Sequence, residues 1–195
     1  MPGIEPADTH RRVPGCRPVT AAGMFDDPRL TAMGLFAEAF TGLTAKIAPT
    51  FAAHGISAAD FEVLLRLARS PGRQLRMSDL AAQAGLSTSG VTRVVDRLEH
   101  AALVRRQTCD SDRRVSYAVL TEPGERLLTT VVPPHLGDVE RWFTGLLPAD
   151  QLAALLGALR IVRDRVRPDA TLGAAAAAQA PAANTAEAAD GPEVS

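Results

Sequence analysis

The residues best suited to chemistry lie on a predicted helix from Ser87 to His100. Apolar residues recur along it at intervals of three and four, which predicts one buried face: Val91, Val94, Val95 and Leu98. The side left exposed carries hydroxyl and guanidinium groups: Ser87, Thr88, Ser89, Thr92, Arg93 and Arg97. Hydroxyls and helix N-terminal amides suit phosphate oxygens, and arginine reaches phosphate or guanine edges. We expect this side to contact duplex DNA; the alternative is a helical core whose polar side faces water.

A second basic group lies at the tip of a predicted β-hairpin. Residues 103–107 and 115–120 have the composition and alternation of strands, and the loop CDSDRR joins them. The tip carries Arg113 and Arg114 beside Asp110 and Asp112. An extended arginine can enter a narrow minor groove, where the negative potential of DNA is strongest, and the acids can hold it in place beforehand. The alternative is a solvated turn with local ion pairs.

The helices before this pair are predicted from caps and breakers. Asp27 followed by Pro28 begins a long amphipathic helix that ends near residue 54, with Pro49 bending or breaking its last turn. Ser57 and Asp60 have the spacing of a capping box and begin the second helix. Ser78 is expected to cap a short helix over 79–84. Gly85 then gives the tight turn into the helix that begins at Ser87.

Two further helices follow the hairpin. Thr121 begins one of them, which Pro133 and Pro134 should kink or interrupt, and Pro148 opens the last. The fold class is therefore mainly α with a small β-hairpin wing: a winged helix-turn-helix with N- and C-terminal dimerisation helices. Residues 1–24 and the Ala/Pro-rich tail 168–195 lack apolar periodicity and are expected to be disordered.

The charge is distributed unevenly along the chain. The whole sequence has a formal net charge of −1, whereas residues 72–117 contain eight arginines against five acidic residues, a net +3. A locally basic segment, about a quarter of an otherwise acidic chain, fits a confined surface that faces phosphate. The two cysteines form no pair motif, and no apolar run reaches the roughly 18 residues of a membrane span, so a cytoplasmic protein without a membrane partner is expected.

Catalytic and metal-binding patterns are missing from the sequence. It has no glycine-rich phosphate loop, nucleophile elbow or histidine pair at metal-ligand spacing, so we expect a protein that is not an enzyme and has no cofactor or metal. A winged helix that binds only protein is the second alternative to DNA binding. Cys109, in the hairpin loop, could sense oxidants, although an incidental thiol is the simpler interpretation.

The sequence resembles the MarR family of bacterial transcription regulators. Four segments carry the resemblance: LSTSGVTRVVDRLE (86–99), ALVRR (102–106), DSDRR (110–114) and LTEPG (120–124). The resemblance implies a domain over 25–167, with a DNA-binding lobe over about 57–121 and dimerisation helices over about 28–54 and 122–167. It also implies a homodimer that represses or activates transcription at a palindromic operator of double-stranded DNA, and of these two we expect a repressor. Small aromatic effectors are typical ligands of the family.

The motif match assigns roles to single residues. It places Ser87, Thr88, Ser89, Thr92, Arg93 and Arg97 on the recognition surface. It makes Asp112 and Arg114 the wing pair, and Asp96 a support for a wing arginine. The chain departs from the family pattern at Leu147, which replaces a capping Ser or Thr, and at Pro133–Pro134. Dimerisation is also expected independently, because the first and last helices have apolar stripes that one small wing domain has too few neighbouring elements to cover. The alternative is internal packing in a monomer.

Overall fold

The computed structural model describes residues 23–108 and 115–171. Its elements, in chain order, are α1 (Pro28–Ala53), α2 (Ala58–Ala68), β1 (Gln74–Arg76), α3 (Met77–Ala84), α4 (Thr88–His100), β2 (Val104–Thr108), β3 (Ser116–Leu120), α5 (Glu122–Trp142) and α6 (Ala149–Val166). Short 3₁₀ turns occupy Pro71–Arg73, Thr144–Leu146 and Pro168–Thr171. The predicted mainly helical fold with a small antiparallel wing is confirmed.

The chain divides within α1 into two compact units, Met1–Gly42 and Leu43–Ser195. In the described part of the first unit, the Oδ1 atom of Asp27 accepts a hydrogen bond from the amide of Arg29 at 2.9 Å. This contact confirms the predicted start of α1, with Pro28 as its first residue. Leu30, Met33, Phe36 and Phe40 on the same stretch of α1 are exposed.

The second unit holds the hydrophobic core. Its largest fully buried side chains come from the three helices α2, α3 and α4, from the sheet and from α5: Val63, Leu64, Leu67, Leu80, Val91, Val95, Leu98, Val104 and Val131. The spacing of these residues in α4 matches the apolar face predicted from the sequence. Pro49 lies inside α1 without ending it, so of the bend or break predicted in the last turn the break is wrong, and the bend stays a prediction.

The sheet has three antiparallel strands in the order β1-β3-β2. Strand β3 is central, with Val104 opposite Leu120 on one side and Leu75 opposite Ala118 on the other. The hairpin prediction found β2 and β3 within one residue of their ends. It missed β1, because a strand of three residues is too short to show alternation.

The caps of the helices agree with the sequence in two cases and differ in one. Ser57 and Asp60 form both hydrogen bonds of a capping box at the start of α2, and the Thr121 hydroxyl caps α5. The predicted cap at Ser78 is wrong, since α3 begins at Met77 directly after β1 and its N-cap residue is Arg76. Pro148 precedes α6 without a side-chain cap, as expected from the absence of Ser or Thr at Leu147.

Helix α5 passes through both of its internal prolines. Of the kink or interruption predicted at Pro133 and Pro134, the interruption is wrong, because α5 is one helix from Glu122 to Trp142, and the kink stays a prediction. The prolines deprive the carbonyls of Thr129 and Thr130 of their usual amide donors. All four residues are exposed, so water can hydrogen-bond these carbonyls on the outer side of the helix. The inner side is held by the buried Leu128 and Val131.

The start of α5 is packed tightly against the start of β2. The amide of Thr121 donates to the carbonyl of Leu103 at 3.1 Å, and the Thr121 hydroxyl donates to the carbonyl of Ala102 at 2.7 Å. Gly124 is buried beside them, and a Cβ atom there would overlap the carbonyl oxygen of Leu103. Only glycine therefore fits at this junction.

The C-terminal end of the described chain differs from the predicted tail. Residues Pro168–Thr171 form a 3₁₀ turn rather than disordered chain, so the boundary of the predicted tail at 168 is too early. The physical reason is hydrogen bonding to the helices: Arg66 of α2 donates to the carbonyl of Ala170 at 2.8 Å. Helix α6 itself has no buried residue within the protomer.

Candidate nucleic-acid interface

The N-terminal end of α4 carries three exposed hydroxyl groups. Ser87 is the N-cap, and its hydroxyl accepts a hydrogen bond from the amide of Gly90 at 3.0 Å. The hydroxyls of Ser87 and Ser89 lie 3.1 Å apart, and Thr88 is exposed beside them. The first amides of a helix have no intrahelical acceptor and carry a partial positive charge. The end of α4 is therefore a place where hydroxyl and amide donors meet at the surface.

The two faces of α4 separate as the sequence predicts. Thr92 and Arg93 are exposed, whereas Val91 and Val94 beside them are buried. The Thr92 hydroxyl donates back to the carbonyl of Thr88 at 2.8 Å. Arg93 forms no hydrogen bond or ion pair in the part of the chain that the structure describes. Its guanidinium group is thus available to an external acceptor.

Arg97 differs from Arg93, because its guanidinium is held by an acid of α2. Its Nε donates to Oδ1 of Asp60 at 3.0 Å, and its Nη2 donates to the same oxygen at 2.6 Å. The Arg97 side chain is 54% exposed, whereas that of Asp60 is 4% exposed. The sequence placed Arg97 among the DNA contacts; the structure gives it a contact inside the protein as well.

Asp60 joins the start of α2 to α4. Its Oδ2 accepts from the amide and the hydroxyl of Ser57 at 2.8 and 2.7 Å, while Arg97 binds from the other side. Burial alone would raise the pKa of Asp60, but the hydrogen bonds from Arg97 and Ser57 outweigh it and hold that pKa below its ordinary value of 3.8. The sequence identified Asp60 only as a capping residue. Its link to Arg97 could not be found, because 37 positions separate the two.

Arg106 of β2 connects the wing to α4. Its Nη2 lies 2.6 Å from Oδ1 of Asp96, and its Nη1 donates to Glu99 at 3.0 Å. Its backbone amide also donates to Glu99 at 3.0 Å. Asp96 was assigned from the family resemblance to support a wing arginine, and among the described residues that arginine is Arg106. The signal for it lay in two acids three positions apart on α4, followed by the Arg105–Arg106 pair.

The wing tip lies outside the described residues. This segment, 109–114, contains Asp112, Arg113 and Arg114 together with Cys109, so their roles remain predictions. At the base of the wing, Arg105 donates to the side chain of Gln107 at 2.9 Å. On the far edge of the sheet, Arg76 of β1 donates to the hydroxyl of Tyr117 at 3.1 Å.

The arrangement is suited to reading a groove. A helix of 13 residues is about 20 Å long, whereas the DNA major groove is about 12 Å wide. The core braces α4 through Val91, Val95 and Leu98, while Asp60 and Arg106 hold it from two sides. The hydroxyl groups and Arg93 therefore project from a helix whose position is fixed.

Residues 23–108 and 115–171 contain neither a cluster of metal ligands nor a single helix that could span a membrane. No group of three or more His, Cys, Asp or Glu side chains there could hold a metal ion. No single helix in these ranges is long and apolar enough to cross a membrane. Glu122–Leu146 and Ala149–Val166 reach that length and composition only as a pair, with a bend of 104° between them.

Known proteins share this architecture. A family model described as MarR family matches residues 54–115. The crystal structure of AbsC, a MarR family transcriptional regulator from Streptomyces coelicolor, superposes on this chain with a TM-score of 0.69. The two sequences are 35% identical, and the match covers 78% of this chain and 99% of AbsC. Sco3205, a MarR family transcriptional regulator from the same organism, was solved in complex with DNA and also superposes with a TM-score of 0.69. Its sequence is 30% identical, and the match covers 80% of this chain and 94% of Sco3205.

A curated relative agrees with these structures. The transcriptional repressor MprA of Escherichia coli K12 is 29% identical over 119 residues, which cover 60% of this chain and 68% of MprA. Fold and site together define a winged helix-turn-helix regulator that binds DNA. The chain belongs to the MarR family of transcriptional regulators. This result confirms the family and the fold predicted from the sequence. The relatives are regulators rather than enzymes, as the prediction of a non-enzyme requires.

Proposed function

We propose that this protein is a repressor that binds a palindromic operator as a homodimer, with α4 of each protomer in the major groove. The observation that carries the proposal is the division of α4 into a buried valine and leucine face and an exposed face with Ser87, Thr88, Ser89, Thr92 and Arg93. Phosphate contacts from the hydroxyls fix the register, and Arg93 reads base edges.

Dimerisation is supported by the exposed apolar residues of the terminal helices. Ile161 is 75% exposed, Val162 57% and Val166 67%, on a helix without any buried residue. Leu136 and Leu146 are also exposed. Single exposed apolar residues are normal, but a whole helix that lacks burial needs a partner surface. A second copy of the chain supplies it and places two α4 helices about 34 Å apart, one turn of DNA.

A twofold protein requires a twofold site, which is why we propose a palindromic operator. Repression follows if that operator overlaps the promoter, because the bound dimer then excludes polymerase. MprA, which is named as a transcriptional repressor, agrees with this sign of regulation. Arg113 and Arg114 complete the proposal as minor-groove contacts of the wing, with Asp112 as support. Release by a small aromatic effector stays a prediction from the family resemblance.

The test is footprinting of the full chain on the DNA upstream of its own gene, combined with sedimentation of the free protein. We expect one protected region with two half-sites related by a dyad, a dimer in solution, and an affinity that falls steeply with salt. In a transcription assay, the protein should lower the output from that promoter. A monomer at micromolar concentration, or binding that salt does not weaken, would instead favour a winged helix that binds protein.

A further inference from the structure

The chain turns back onto the helix-turn-helix where α6 ends. Arg167, the C-cap residue of α6, donates from Nη2 to the carbonyls of Ala82 and Gln83 in α3, each at 3.1 Å. Three residues later, the carbonyl of Ala170 accepts from Arg66 of α2. The segment Arg167–Ala170, here called the C-terminal strap, is therefore bonded to both helices that precede α4.

The contact falls on the turn that sets the direction of α4. Helix α3 ends at Gly85, whose backbone has the left-handed φ of 68°. The amide of Gly85 donates to Ala82 and that of Leu86 donates to Ala81, which satisfies these two carbonyls within the turn. Arg167 adds a second donor to Ala82 and supplies the donor to Gln83. A guanidinium cation at a helix C-terminus is also favoured by the helix dipole.

The guanidinium group lies directly against the turn. A Cβ atom at Gly85 would be 2.6 Å from both Nη1 and Nη2 of Arg167. The glycine therefore serves the left-handed turn and also leaves room for the arginine. Because Leu86 and Ser87 follow at once, a shift of this turn moves the N-terminal end of α4, where the exposed hydroxyls lie.

We propose that Arg167 is a positioning residue that couples α6 to the recognition helix, by holding the α3–α4 turn through the carbonyls of Ala82 and Gln83. The proposal rests on the proposed function, in which α6 belongs to the dimer and α4 contacts DNA. A change in the position of α6 then changes the presentation of α4 without touching DNA itself.

The test compares Arg167→Ala and Arg167→Lys with Arg165→Ala, which removes an exposed arginine two positions earlier on α6. Amide hydrogen exchange of the full chain without DNA is measured on peptides that cover residues 82–88. Loss of the bonds from Arg167 should speed exchange of this turn several-fold in Arg167→Ala, less in Arg167→Lys, and not in Arg165→Ala. If residues 82–88 exchange at the wild-type rate in all three variants, the proposal is overturned.

Operator affinity gives the second measurement. Arg167→Ala should bind about 3- to 30-fold more weakly than wild type, as expected for a coupling residue, and Arg167→Lys should recover part of the loss. The slope of log affinity against log salt should stay unchanged. A slope reduced by about 1 would make Arg167 a phosphate contact and refute the positioning role. If wild type fails to bind DNA, the proposed function fails, while the exchange result still decides whether Arg167 holds the turn.

Discussion

Arg97 of α4 and Asp60 of α2 form a two-point ion pair in which the acid is buried and the base is half exposed. A residue on the exposed face of α4, which the sequence assigns to DNA contact, is thus also the partner of a carboxylate inside the protein. One turn earlier, Arg93 is exposed without such a partner among the described residues. The two arginines look equivalent in the sequence, and the structure separates them.

Stability should distinguish these arginines. Arg97→Ala leaves the buried Asp60 carboxylate with only its Ser57 hydrogen bonds, and we expect a loss of about 1–2 kcal/mol in the free energy of unfolding, the lower part of the range for charged hydrogen bonds because Arg97 is half exposed. Arg93→Ala should change it by less than about 0.5 kcal/mol. Urea unfolding of both variants measures the difference. Equal values would show that the Asp60 pair adds nothing to stability.

DNA discrimination should depend most on Arg93. Its replacement by alanine removes an exposed guanidinium that we propose pairs with a guanine edge, and about 1–3 kcal/mol of discrimination between the operator and a single-base variant should disappear. Competition binding with both DNA sequences measures this quantity. Arg114→Ala serves as the comparison: it should weaken binding to both sequences alike and lower the salt slope by about 1. If Arg93→Ala discriminates between the two DNA sequences like wild type, Arg93 does not read the operator sequence.

Mild acid should destabilise the fold through His135. This residue packs against the rings of Phe51 and Phe61, at centroid distances of 5.2 and 4.7 Å, and those two rings stack on each other at 4.6 Å. Its Nδ1 is buried without a hydrogen-bond partner among the described residues. Burial lowers the pKa of His135 from 6.5, with the Asp138 carboxylate acting in the opposite direction. Below pH 6.5 the unfolded chain therefore binds more protons than the folded chain, so stability falls as the pH falls, by at most about 1.4 kcal/mol per pH unit.

Urea unfolding between pH 7.5 and 5.5 measures the contribution of His135. His135→Phe keeps the aromatic contacts but cannot titrate, so its stability should depend less on pH than that of wild type. A pH profile that His135→Phe leaves unaltered would contradict this assignment.

Charge introduced on α6 should separate the proposed dimer. Ile161→Glu combined with Val162→Glu places two carboxylates in an apolar contact without partners, and we expect the dimer dissociation constant to rise at least about tenfold. Ala58→Glu adds a carboxylate at the exposed start of α2 and should leave the dimer intact. Sedimentation at several concentrations measures both. A dimer of unchanged affinity in the double variant would move the interface away from this part of α6.

The sequence was sufficient to predict the elements whose buried residues recur at a regular period. The buried face of α4 could be predicted because Val91, Val94, Val95 and Leu98 repeat with the helical period, and the caps at Ser57 and Thr121 are local patterns. Strand β1 could not be predicted, since it forms only by pairing with β3, more than 40 residues later along the chain. The interruption of α5 was predicted from its prolines alone. Whether water can reach the carbonyls that these prolines leave without an amide donor depends on the tertiary fold, which the prolines do not reveal.

The sequence predicts which residues form the candidate site, but not which of them bond to each other. Which hydroxyls and arginines face outward follows from the period of α4. Which arginine is already bonded does not, because Asp60, Glu99 and the strap at Arg167 reach their partners through the tertiary fold. Spacing along the chain therefore identifies the candidate surface, and long-range contacts decide how it is held.

The close approach at Gly124 bears on any attempt to make this protein more heat-resistant. Replacing glycine by alanine inside a helix ordinarily adds about 0.5–1 kcal/mol. At Gly137 of α5 a methyl group would meet nothing within 4 Å in the protomer, whereas at Gly124 it would collide with the Leu103 backbone. Helix propensity predicts the same gain for both substitutions. Gly124→Ala would instead force β2 away from α5 and lower the melting temperature.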